Sequence, residues 1–417
     1  MKKVRDGYKI TELGEIPSDW NIMKLSEVAE IVMGQSPDSS SYNDTEDGVA
    51  FFQGKTEFGR INPVVKKWCN NPTKISKPLD ILISVRAPVG DVNINNIEAC
   101  IGRGLGAIRA TSSSNYKYLY YAIQKYNNQL KKASQGSTFE AINSNDLKGL
   151  KLPIPHIDEQ EKIALILSNV DEQIDNVDAL IEKNKELKKG LMQTLLTKGI
   201  GHTKFKKSDI GEIPEGWSIK TINDVVNLIK SGLSRSLKDE DIGIPCIRSN
   251  NMNNYKFDKS DLKYWFLEDN KGANINEYIL RDGDILVNFI NSLAQIGKTC
   301  LYEDIGRPVI YTTNIFRMNL NEQIILNKYF YYISQTERYN NEIKLITKPA
   351  VNQASFTVAD FKSIKISIPP INEQMGIVSI LSEVDKKIEE HENKKQKLEE
   401  VKKGLMQQLL TGRIRVI

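Results

Sequence analysis

Residues 147–200 recur in step as residues 361–414, with about half of the positions identical and no gap needed to align them. Ile154-Pro155 returns as Ile368-Pro369, Glu159-Gln160 as Glu373-Gln374, and Gly190-Leu191-Met192-Gln193 as Gly404-Leu405-Met406-Gln407. A second echo opens each half: Gly14-Glu15-Ile16-Pro17 with Trp20 reappears as Gly211-Glu212-Ile213-Pro214 with Trp217. The chain between these matched ends does not repeat visibly. Two similar frames hold two different inserts, so the sequence is built to present two distinct surfaces at a fixed separation.

The repeated segments read as long helices. Pro155 and Asp158 supply the stop and cap signals of the first, with Glu159 and Gln160 in the following turn. Ile163, Leu167, Val170, Ile174, Val177 and Ile181 then alternate in steps of four and three, the spacing of a coiled-coil seam. Asn184 and Lys188 continue the register as polar members, Leu191 and Leu195 close it, and Gly199 and Gly201 follow, as expected past a helix C-terminus. The second copy runs Ile377, Leu381, Val384 and Ile388, turns polar at His391 and Lys395, and recovers at Leu398, Leu405 and Leu409. Two imperfect seams in one chain are expected to pair with each other. The shared halves call for a pseudo-twofold, which makes the pair antiparallel and sends the inserts to opposite ends. Each helix of about 38 residues would be about 57 Å long. The polar seam positions would set register, or mark a surface for a partner.

The inserts read as mixed α and β. Val49-Ala50-Phe51-Phe52, Asp80-Ile81-Leu82-Ile83-Ser84-Val85 and residues 105–109 are strand-like runs, and a tyrosine-rich helix begins at Tyr118 and ends near Gly136. The second insert follows the same grammar in Asp284-Ile285-Leu286-Val287 and Tyr329-Phe330-Tyr331-Tyr332-Ile333. The expected class is α+β: two mixed α/β domains separated by two long helices packed as an antiparallel coiled coil. The expected divisions are residues 1–155 and 201–370 for the domains, and 156–200 and 371–417 for the helical spacers.

A length of 417 residues allows two or three domains, and 40% hydrophobic with 26% charged residues describes a globular chain. No apolar run approaches the roughly 18 residues that span a bilayer. The opening residues lack an apolar signal core, so a cytoplasmic location is expected. Cys69, Cys100, Cys246 and Cys300 lack paired spacing and read as reduced, mostly buried thiols. Net charge is only +4, but its distribution is uneven. Residues 99–139 carry Arg103, Arg109, Lys117, Lys125, Lys131 and Lys132 with no acid among them. Residues 55–77 carry Lys55, Arg60, Lys66, Lys67, Lys74 and Lys77 against Glu57 alone. Such clusters can neutralise phosphates.

Catalytic chemistry finds no support. Gly102-Arg103-Gly104-Leu105-Gly106 has the glycines of a nucleotide loop, but strand-like Ala107-Ile108-Arg109 follows where a helix must begin. Gly297-Lys298-Thr299 lacks the first glycine of a phosphate loop, Ser292 standing in its place, and reads as a β-turn. Pro369-Pro370 follows Ile368, not the Asn or Asp that a base-flipping adenine methyltransferase needs. His156, His202 and His391 are far apart, so neither a metal site nor a serine triad is expected. No catalytic residue, metal or cofactor is expected.

Taken in order, these motifs resemble the DNA-specificity subunit of type I restriction–modification systems, over essentially the whole chain. The likeness rests on the twofold frame, the Gly-Glu-Ile-Pro-x-x-Trp openings, Asp80-Ile81-Leu82-Ile83-Ser84-Val85-Arg86 and Pro88-Val89-Gly90. It also rests on the Ile-Pro-x-Ile-x-Glu-Gln entrances and Gly-Leu-Met-Gln-x-Leu-Leu-Thr exits of both helices. The resemblance implies two target recognition domains on double-stranded DNA, each reading half of a split site, with the helices as a ruler. It also implies methyltransferase subunits docked on the helices and a restriction subunit joining that assembly. The second half departs at Asn288-Phe289-Ile290-Asn291, where the first has Ser84-Val85-Arg86-Ala87, so Arg86 has no counterpart.

Each insert would enter a major groove, with cations on phosphates and loop amides, hydroxyls and arginines on bases. The candidates are Gln35, Ser36, Gln53, Lys55, Arg60, Arg86 and Arg103 in the first insert. In the second they are Ser234, Arg235, Arg248, Asn250, Asn251, Asn288 and Asn291. Loss of Arg60 or Arg235 from a base contact would cost about 1–3 kcal/mol and loosen one position. The alternative class is a two-headed coiled-coil scaffold that presents peptide-binding domains, and a third is an autonomous restriction enzyme. Steep weakening of DNA binding by salt separates the first reading from the scaffold.

Overall fold

The structure is a computed structural model that describes residues 4–135, 140–253, 255–268, 271–349 and 353–416. Aliphatic and aromatic runs become the strands of the first insert. They are β1 (Ala29–Met33), β2 (Val49–Phe52), β3 (Ile81–Ser84), β4 (Val92–Ile94), β5 (Ala99–Ile101) and β6 (Leu105–Ala110). An antiparallel sheet has the order β4-β3-β6-β1, with Leu105 opposite Ser84 and Gly106 opposite Met33. β2 and β5 pair in parallel at the centre of a second sheet, and Leu82 and Ala107 pack with Phe52 and Ile101 between the two. The other face of the first sheet buries Ile81, Ile83 and Ile108 against α1 (Tyr116–Tyr126). Asn115 caps α1 by accepting the Tyr118 N–H, which fixes where the helix starts. The expected single helix is interrupted at Asn127 and resumes over Asn128–Ser134; Gly136, its expected end, lies outside the described residues. The first long helix, α2, follows at Ile157–Lys198.

The second insert repeats this plan. Its strands are β7 (Val226–Ser231), β8 (Ile244–Ile247), β9 (Ile285–Asn288), β10 (Thr299–Leu301), β11 (Ile310–Tyr311) and β12 (Ile315–Leu320). The antiparallel sheet runs β10-β9-β12-β7, and β8 lies parallel to β11. The tyrosine-rich helix is α3 (Asn327–Ile333), and the chain closes with α4 (Ile371–Leu409). The two inserts share the order of the four-stranded sheet and the parallel pair beside it, whereas among the described residues the second sheet has five strands in the first insert and three in the second. Each frame opens with a hairpin, Tyr8–Thr11 on Gly14–Pro17 and Phe205–Ser208 on Gly211–Pro214. Gly14 and Gly211 sit at φ +104° and +105°, a conformation that side chains resist, which accounts for the repeated glycine.

Contacts divide the chain into two units, residues 1–179 with 391–417 and residues 180–390. Each holds one insert, one end of α2 and the opposite end of α4. In the first unit Ile163 and Leu167 share a core with Leu405 and Leu409, while Asp171 pairs with Lys402 at 2.8 Å and Asp178 with Lys395 at 2.7 Å. One number rises as the other falls, so the helices run antiparallel. In the second unit Leu191 and Leu195 share a core with Ile377 and Leu381, and Lys188 pairs with Asp385 at 2.8 Å. The six expected seam residues from Ile163 to Ile181 are all buried. Asp158 is not the cap. His156 supplies the carbonyl that accepts the Glu159 and Gln160 N–H groups, and Asp158 adds negative charge to the first turn, where the helix dipole favours it.

Asp171 has a side chain 1% exposed and could not stay ionised there unpaired. Tyr121 Oη donates to it at 2.6 Å, Lys402 Nζ at 2.8 Å and Arg60 Nη1 at 2.7 Å. Burial alone would raise this carboxyl. The Lys402 and Tyr121 hydrogen bonds, with Arg60, outweigh burial and hold it below the usual carboxylate value. Asp385 repeats the arrangement with Tyr332 at 2.8 Å and Lys188. Asp171→Ala leaves the half-buried Lys402 without its acid and is expected to cost about 2–4 kcal/mol in urea unfolding; a loss under about 1 kcal/mol would contradict this role. Because the folded carboxyl titrates below the unfolded one, its contribution is full at neutral pH and fades as pH falls through the folded value. Asp171→Asn should therefore flatten the acid limb of the stability profile.

Candidate nucleic-acid interface

Strand ends and crossings assemble a cleft of about 510 Å³ in the first insert, lined by Gln53, Lys55, Arg86 and Arg103. Three chain segments, residues 53–56, 86–88 and 103–104, meet here because β2 and β5 run parallel and end together, and β6 starts directly after β5. Gly34 passes so close to this crossing that a side chain there would collide with the carbonyls of Gly102 and Leu105. Ser36 and Gln53 lie beneath Arg103: its backbone N–H donates to Ser36 Oγ at 3.2 Å, and Gln53 Nε2 donates to the same oxygen at 3.0 Å. Gln35 is exposed beside them. Lys55 is ion-paired with Asp91. Arg86 and Arg103 are exposed, and their guanidinium groups meet no acceptor among the described residues.

Arg60 requires a correction. Its guanidinium donates to the Asp171 carboxylate and carbonyl, each at 2.7 Å, and is ion-paired with Asp175. It fastens the insert to α2 and is not free to grip a base. The acid-free stretch also offers fewer unengaged cations than its composition implies. Arg109 forms two hydrogen bonds to Asp80 at 2.8 and 2.9 Å and reaches Glu30, and Lys125 is bonded to Gln407. The Asp80 hydrogen bonds raise the Arg109 guanidinium further, so this charge is a fixed internal pair.

In the second insert, two candidates turn inward and a third is engaged at the surface. Asn288 is fully buried, and Asn251 is 1% exposed with its amide donating to the Asp258 and Asp261 carbonyls. Arg248 donates to the Asp261 carboxylate at 2.7 Å and stabilises the same turn. Asn288 and Asn251 lack exposed edges for base readout, and Arg248 is engaged locally. Ser234 and Asn250 are exposed, Asn291 is half-buried, and Arg235 donates to the Ser234 carbonyl at 2.8 Å. These four come from three separate segments. Gly232 repeats the crossing of Gly34, pressed on the carbonyls of Tyr311 and Thr312. The position of Arg103 thus falls to Thr312 and Thr313, residues that sequence reading passed over. It also passed over Arg281 and Arg317, which line a cleft of about 580 Å³ with Lys230 and Glu277.

The repeated Glu-Gln pairs prove to be clasps. Glu159 accepts from Trp20 Nε1 at 3.0 Å and Arg415 at 2.8 Å; Glu373 accepts from Trp217 Nε1 at 3.0 Å and meets His202 at 2.8 Å. Gln160 accepts the Asn115 N–H and Gln374 the Leu326 N–H, both at 2.9 Å, joining each tyrosine-rich helix to a long helix. The signal was available in the sequence, since each pair is identical at matched positions. The four cysteines are buried and unbridged, and burial pushes the Cys246 and Cys300 thiols up to about 12. Among the described residues no cluster of His, Cys, Asp and Glu could hold a metal, and no helix is long and apolar enough to cross a membrane.

Comparison with known proteins agrees with this architecture. The family described as the type I restriction modification DNA specificity domain matches residues 17–187 and 214–400. The chain belongs to that family. It is 42% identical over 194 residues to the MjaX type I specificity subunit assigned in Methanocaldococcus jannaschii, a match covering 46% of this chain and 45% of that protein. It is 25% identical over 413 residues to the MjaVIII type I specificity subunit of the same archaeon, covering 96% of this chain and 94% of that one. The crystal structure of a type I restriction–modification S subunit from M. genitalium superposes with a TM-score of 0.62 at 17% identity, over 98% of this chain and 97% of that one. The fold is shared.

Because Arg60 holds the insert to its helix, Arg60→Ala is expected to lower the thermal midpoint and weaken binding to all DNA sequences alike. Relaxed preference at one base position, with stability unchanged, would restore it to the reading set.

Proposed function

We propose that this chain is the non-catalytic recognition subunit of a type I restriction–modification complex and reads a split site on double-stranded DNA. Residues 1–155 and 201–370 serve as recognition domains, and residues 156–200 and 371–417 as spacers. Each insert takes one half-site, and the helices fix the interval. Methyltransferase subunits dock on the helices and perform the modification, and the restriction subunit joins through the assembled complex, all in the cytoplasm. The cofactors of those reactions belong to the partners.

One observation carries this reading. Two inserts with the same strand order and the same glycine crossing present different side chains there, Arg103 in one and Thr312-Thr313 in the other. A repeated platform with exchanged tips suits two half-sites of different sequence. Of the first-insert candidates Gln35, Lys55, Arg86 and Arg103 remain for DNA, and of the second Ser234, Arg235, Asn250 and Asn291.

The test is methylome sequencing of cells that express this chain with its methyltransferase, against cells that lack it. A bipartite modified sequence that appears only with the chain is expected. Deleting one heptad from both helices should shorten the interval by about 10 Å, roughly three base pairs. An unchanged interval would refute the ruler, and modification independent of the chain would refute the function.

A further inference from the structure

We infer that Arg103 reads a guanine in the first half-site, and that Ser36 and Gln53 are the residues that position it. This deepens the proposed DNA-specificity reading and rests on it.

The cleft of the first insert holds three cations, but they are not equivalent. Lys55 forms an exposed ion pair with Asp91, whereas the Arg103 guanidinium is exposed with no acceptor among the described residues. What sets Arg103 apart is its platform. Gly102 and Gly104 lie flat on Gln53: a Cβ at 102 would come within 2.6 Å of Gln53 Oε1, and one at 104 within 2.5 Å of the Gln53 carbonyl. Ser36 Oγ then ties the Arg103 backbone N–H and the Gln53 amide into one network. Gln53 and Ser36 therefore spend their hydrogen bonds inside the protein, and their role is to aim the residue between the glycines.

A fixed backbone matters for base readout. A phosphate oxygen accepts a cation from many directions, so a mobile lysine suffices there. The O6 and N7 atoms of guanine demand a planar fork at a set height in the groove, and arginine supplies that fork. Holding the backbone while leaving the tip free of protein partners is the arrangement such a contact needs. The second insert has Thr312 and Thr313 at the same crossing and no arginine there, so this contact belongs to one half-site only.

The experiment uses the full complex and the site found by methylome sequencing. Each guanine of that site is replaced in turn by 7-deazaguanine, which removes N7 and leaves every phosphate in place. One replacement, confined to one half-site, should weaken the wild-type complex about tenfold. Arg103→Ala, already weakened to that extent on the natural site, should not respond to the same replacement. Ser36→Ala should lose part of the guanine preference while keeping its low-salt binding to unrelated duplex. Three outcomes overturn the proposal: no replacement weakens the wild type, Arg103→Ala responds as the wild type does, or neither half-site contains guanine. Absence of any bipartite site would instead sink the specificity reading, and this inference with it.

Discussion

A carboxylate taken out of water must find donors, and two buried and two half-buried ones organise this chain. Asp171 and Asp385 sit on the long helices where a tyrosine from the insert and a lysine from the opposing helix converge. Glu159 and Glu373 sit at the helix starts, where each accepts from a buried tryptophan of the frame and meets a basic side chain from the chain just past a helix end. A group that is costly unless paired specifies geometry more sharply than apolar contact does. Leucine against leucine tolerates a slip of register, whereas an acid with three donors does not. Lys395 shows the same logic at the surface of the seam, where its hydrogen bond with Asp178 raises the ammonium further and holds the two helices in step.

Most of the scaffold was legible in the sequence because its signals are local or duplicated. The four–three spacing from Ile163 to Ile181 marks a buried stripe on any helix, and matching it at a constant offset reveals the second copy. The glycines of the Gly-Glu-Ile-Pro openings are fixed by a single backbone torsion, so they too can be read without tertiary knowledge. Strand runs such as Ile81–Ser84 and Ile285–Asn288 are apolar on both faces because a helix covers one side and a second sheet the other. Continuous apolarity then points to a buried strand.

The candidate interface was legible only in part, and the reason is distance along the chain. Arg60 stands in a basic cluster, and nothing nearby shows that Asp171, 111 residues later, claims its charge. Arg109 is claimed by Asp80 in the same way. Asn251 and Asn288 look like the amides of a reading loop, but one folds back on its own turn and the other ends a central strand facing the core. What survived in the first insert were residues from three segments that strand order brings to one cleft, with Gln35 outside its lining. Composition proposed the set, and topology selected from it.

The proposed division of labour is that paired carboxylates on a duplicated frame hold the architecture, and the tip of the first strand crossing carries sequence preference for one half-site. Its most direct test is methylome sequencing of a chain carrying Arg103→Thr, which places at the first crossing the residue type that Thr313 supplies at the second. The account predicts that one half-site changes while the other half-site and the interval stay as they were. A change in both half-sites, or in the interval, would contradict it.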